Sequence, residues 1–178
     1  TEYDLRKGRA VAYEYLGDEV ACFADLEAMF RLADLLGEVS RRVDAIQRYL
    51  LGAFGQADLL AKAMAFAKDT LPLAWASEDP KLIADALHIQ ALFSRSNLDY
   101  ASAEESIVEA IERYRSLGDR RGEADSLQVR FGIAMAKGQS RLAQAYAASA
   151  LRLAREISGD IEDRSVEAYA LIQISQAT

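Results

Sequence analysis

Four helix-like stretches in this chain end in a short acidic stop at an almost constant interval. The stops are Leu36-Gly37-Glu38, Ser77-Glu78-Asp79, Leu117-Gly118-Asp119 and Ser158-Gly159-Asp160. Their acids stand at 38, 79, 119 and 160, steps of 41, 40 and 41 residues. A second marker keeps the same phase. Mostly small residues seven apart precede each stop: Cys22/Met29, Ala63/Thr70, Ala103/Ala110 and Ala143/Ala150, advancing by 41, 40 and 40. A period in this range is the mark of stacked supersecondary units, each of which buries its apolar face only against its neighbours. Such arrays mostly bind other molecules, so the period constrains the architecture well and leaves the ligand open.

The elements inside each unit read as helices. Alanine and leucine are abundant, prolines number two, and β-branched runs are nearly absent. Nine helices are predicted: about 3–16, 18–36, 39–54, 56–77, 80–97, 99–117, 120–137, 139–158 and 161–176. Asp18, Asp99, Asp119 and Asp160 are placed to accept free N–H groups of a following first turn. Gly17, Gly37, Gly55, Gly118, Gly138 and Gly159 sit where a left-handed residue ends a helix. Asp79-Pro80 is an N-cap followed by proline at the first helical position. Pro72 interrupts the fourth helix and is expected to kink its last turn.

Periodicity agrees. In the sixth helix Ala103, Ile107, Ala110, Ile111 and Tyr114 form one apolar stripe, opposite Glu105, Glu109, Glu112 and Arg113. The eighth repeats it with Leu142, Ala143, Tyr146, Ala147, Ala150, Leu151 and Ala154. Connections of two to four residues make neighbouring helices antiparallel. The fold class is therefore all-α: a right-handed superhelix, or α-solenoid, of antiparallel helix pairs. It comprises about four repeats (3–37, 39–78, 80–118 and 120–159) and a half repeat at 160–178, read as one domain.

Composition excludes several function classes. With 28 acids against 21 bases the net charge is -7, which disfavours a nucleic-acid face built of clustered Lys and Arg. The single cysteine, Cys22, rules out an internal disulfide and is expected to pack as a small buried residue. No apolar run approaches the roughly 18 residues of a membrane span, no secretory leader pattern is visible, and cytoplasm is the expected compartment. There is no G-x-x-x-x-G-K-[ST] loop and no G-x-G-x-x-G. His88 is the only histidine, so neither a multi-histidine metal site nor a histidine-based triad is expected. The acid pairs Glu104-Glu105 and Glu78-Asp79 read as solvated or capping groups. The basic pairs Arg41-Arg42 and Arg120-Arg121 read as ion pairs with nearby acids. No enzyme, cofactor or metal is expected.

The pattern resembles the tetratricopeptide repeat (TPR). The best match covers 84–119: Leu87 and Ala91, the turn Leu98-Asp99-Tyr100, then Ala103, Ile107 and Ala110, then Leu117-Gly118-Asp119. The family's turn is Gly-Asp-Tyr, so Leu98 departs from it. The next unit matches at Gly138-Gln139, Ala143 and Ala150, with Gly132 one position from the expected small site. The second is looser, with Phe54-Gly55-Gln56, Ala63 and Thr70. The standard unit has about 34 residues. The longer unit here is similar to the sensor arrays of large bacterial regulators. These include LuxR-type ATP-dependent activators related to the maltose-regulon activator, Streptomyces antibiotic regulatory proteins and some class III adenylate cyclases.

The resemblance implies a non-enzymatic protein- or ligand-binding module, the sensor or interaction region of a bacterial transcriptional or signalling regulator. The alternatives are the regulatory domain of a multidomain enzyme such as a cyclase, or a free-standing scaffold. It implies a protein or peptide partner, or a small-molecule effector, in the concave groove. Mapping the best repeat onto the family places Asp85, His88, Leu92 and Arg95 inward, with Asp125, Gln128 and Met135 from the next unit and Arg48 from the second. The last helix carries Val166, Tyr169, Ile172 and Ile174 with no second helix to cover them. It is expected either to continue into a longer array or to form a homodimer end to end.

Overall fold

A computed structural model describes residues 1–53, 56–157 and 161–176, without the side chains of Leu51 and 161–166. Among the described residues the chain forms ten helices: α1 (Glu2–Leu16), α2 (Glu19–Leu36), α3 (Val39–Gly52), α4 (Ala57–Ala67), α5 (Thr70–Ser77), α6 (Pro80–Ser96), α7 (Tyr100–Leu117), α8 (Arg120–Ala136), α9 (Ser140–Glu156) and α10 (Ile161–Gln176). They fall into two compact units, Thr1–Leu82 and Ile83–Thr178. The division comes just inside the first helix of the third repeat.

The helix ends follow the side chains. Asp18, Asp99 and Asp119 accept the backbone N–H of Ala21, Ser102 and Gly122 at 3.1, 3.1 and 2.8 Å. Asp79 accepts from Lys81 N–H at 2.8 Å and Leu82 N–H at 3.3 Å, capping α6 above Pro80. Gly17, Gly37 and Gly118 close α1, α2 and α7 in the left-handed conformation, and Gly138 follows α8 in the same one. Gly55, Gly159 and Asp160 lie outside the described residues. Thr1 and Asp4 add a capping box at α1, beyond the expected caps.

One predicted helix is two. The stretch 56–77 breaks at Lys68-Asp69 and restarts at Thr70. The break lies upstream of Pro72 instead of at it. A proline inside a continuous helix loses its hydrogen bond and clashes with the carbonyl four residues back, here Lys68. Restarting at Thr70 puts Pro72 in a first turn, where N–H groups have no intrahelical acceptor anyway. Ala63 and Thr70 stay buried on either side of the break, so the seven-residue pair survives it.

In the first unit α1 packs on α2, α2 on α3, and α3 on both α4 and α5. Its core is aromatic. Phe30 stacks on Phe66 with ring centres 4.3 Å apart, and Tyr49 meets Phe23 and Phe66 edge-on at 4.9 and 5.7 Å. Such pairs add about 1 kcal/mol each beyond their burial. The Tyr3 hydroxyl of α1 reaches α3, donating to Asp44 at 2.9 Å and to the Arg41 carbonyl at 2.7 Å.

In the second unit α7 packs on α8, α8 on α9, α9 on α10, and α8 also on α10. The predicted stripe of α7, Ala103, Ile107, Ala110, Ile111 and Tyr114, is buried throughout. On α9 Ala143, Ala147, Ala150 and Ala154 are buried, whereas Leu142 is exposed. Phe131 and Ala134 of α8 meet Ala143 and Ala147 of α9, with Met135, Tyr146 and Ile174 at the edge. Alanine at these sites lets the helix axes approach closely while the larger residues fill the remaining volume.

Candidate functional site

The candidate site is the face of the second unit shared by α6, α8 and α10. His88 and Arg95 lie seven residues apart on α6, Gln128 and Gly132 four apart on α8, and Tyr169 and Gln173 four apart on α10. Each set therefore occupies one helix face. Two contacts tie α6 to α8. His88 Nδ1 lies 2.9 Å from Ser126 Oγ. The Arg95 guanidinium lies over Gly132, so closely that a Cβ there would stand 2.5 Å from Nη1. Burial pushes the Arg95 pKa down, opposed by the nearby Tyr169 and Tyr100 hydroxyls. α10, which carries Tyr169, packs on both α8 and α9.

The expected residues divide by their surroundings. His88, Leu92, Arg95, Asp125, Gln128 and Met135 are half-buried. Asp125 pairs with Arg121 one turn earlier at 3.9 Å. The Gln128 Nε2 amide is buried without a hydrogen-bond partner among the described residues. Asp85 is buried and accepts from the Tyr114 hydroxyl at 2.7 Å, so it ties α6 to α7. Burial above all, with the Asp85 carboxylate beside it, holds the Tyr114 phenol far above its usual pKa. Met135 packs against the Phe131 cluster at the α8–α9 seam. Arg48 belongs to the first unit, where its Nε donates to Asp44 at 3.1 Å.

Three contributors were missed as site residues. Ser126 and Gly132 carry no charge to single them out, and Gly132 read as an imperfect small site. Its function is to leave room for Arg95. Gly122 makes room in the same way, because a Cβ there would stand 2.4 Å from the Tyr114 ring. Tyr169 read as part of an uncovered apolar face.

Several other charged groups form ion pairs. Asp25 is clamped by Arg9 at 2.5 Å and Arg6 at 3.0 Å. These arginines hold its carboxyl below the usual range despite burial. Arg41 pairs with Glu38 at 2.9 Å, and Arg42 pairs with Asp34. Glu104 sits between Lys137 at 2.5 Å and Arg130 at 3.6 Å. Among the described residues no group of three His, Cys, Asp or Glu side chains could hold a metal ion. No helix among them is long and apolar enough to cross a membrane. Cys22 is half-buried, less than its small-site position suggested, and its thiol pKa is raised by burial and by Glu14 and Asp25.

No family model matches the chain. No curated protein matches it either. Among solved structures, the crystal structure of BtubC (BKLC) from P. vanneervenii is similar, with a TM-score of 0.51 and 14% identity over 96% of this chain and 84% of that one. At that identity the likeness speaks for the fold alone: an all-helical, repeat-like chain.

Proposed function

We propose that the chain is a TPR-like right-handed superhelix of helix pairs, and that it binds a protein or peptide partner on the α6–α8–α10 face. The observation that carries the reading is the seat of Arg95. A guanidinium is drawn from one first-of-pair helix over a glycine of the next. A polar, partly desolvated surface at the place where packing alone would favour apolar side chains is what a recognition groove needs. The unit of about 40 residues supports a place in the sensor region of a cytoplasmic bacterial regulator.

The test compares capture from cell lysate by the unmodified chain and by the double variant His88→Ala/Arg95→Ala, identified by mass spectrometry. Specific partners are expected to be lost from the variant while its helical circular dichroism is unchanged. Undiminished capture by a folded double variant would exclude the groove assignment. Capture of an ATPase–DNA-binding assembly, against a cyclase, decides between a transcriptional and an enzymatic setting.

A further inference from the structure

We draw no further inference here: the strongest candidate, the apolar face of α10 with Tyr169, Leu171 and Ile172 each about half exposed, carries nothing because nothing in the structure shows what covers it.

Discussion

At the scale of single residues, backbone conformation marks where the chain accepts strain. Gly118 follows α7 at φ 70°, but the equivalent position before α7 is Leu98, held at φ 62° and exposed. An L-residue there costs about 1 kcal/mol relative to glycine. Leu98→Gly is therefore expected to stabilise the chain by about 1 kcal/mol, read as a higher midpoint in urea; an unchanged or lower midpoint would contradict the strain. Gly132→Ala works the other way. Its methyl group would stand 2.5 Å from Nη1, so the guanidinium must shift, and partner capture is expected to fall while the helix content holds. Cys22 tests the local field. Because burial and the surrounding acids raise its pKa, little thiolate is present at neutral pH. Alkylation by iodoacetamide should be slower than for a free cysteine at neutral pH, and should rise only above the ordinary thiol range.

At the scale of elements, the seven-spaced alanines decide how closely helices approach. Ala110 is fully buried, whereas Ala145 of α9 faces solvent. Ala110→Leu should cost about 1–3 kcal/mol through overpacking, whereas Ala145→Leu should change stability by less than about 0.5 kcal/mol. Equal effects, measured by chemical denaturation, would refute the packing role. These elements were legible because caps, glycine stops and the 3.6-residue stripe are local signals. The break at Lys68-Asp69 was not. Pro72 announces that a helix cannot run through it, but the place where the chain restarts depends on which residues α3 buries. The pairing of Asp85 was hidden for a related reason. Its spacing marks a helix face, but only the arrival of Tyr114 from α7 decides that this carboxylate is consumed in a pair contact.

At the scale of the whole molecule, buried ionisable groups bound the pH range of stability. Asp25 and Asp44 titrate below their usual range in the folded chain, so they stabilise it above the ordinary carboxylate pKa. That stability is lost as pH falls through their depressed values. Tyr49 is pushed up to about 12, and Tyr3 and Tyr114 are raised further in the same direction. Their contribution is complete below the ordinary tyrosine pKa near 10 and is lost as pH rises toward the folded values. Thermal melts should show a plateau with an acid and an alkaline limb. Asp25→Asn should lower the melting temperature clearly at about pH 7 and less near about pH 3, below the ordinary carboxylate pKa, where the unfolded chain already takes up a proton at this site and the contribution of the pairing is being lost. An equal drop at both pH values would mean that its pairing with Arg6 and Arg9 contributes nothing.

The amino-acid sequence by itself determined the helical class, the repeat phase, the caps and the buried alanine pairs. The class, the caps and the alanine pairs depend on residues within one or two turns of one another, where backbone geometry and periodicity act directly, and the phase is the recurrence of those local signals every 40 to 41 residues. Only the tertiary structure decided that Arg95 rests on Gly132 and that His88 meets Ser126. Those residues lie nearly a full repeat apart in the sequence, and what unites them is the approach of α6 to α8.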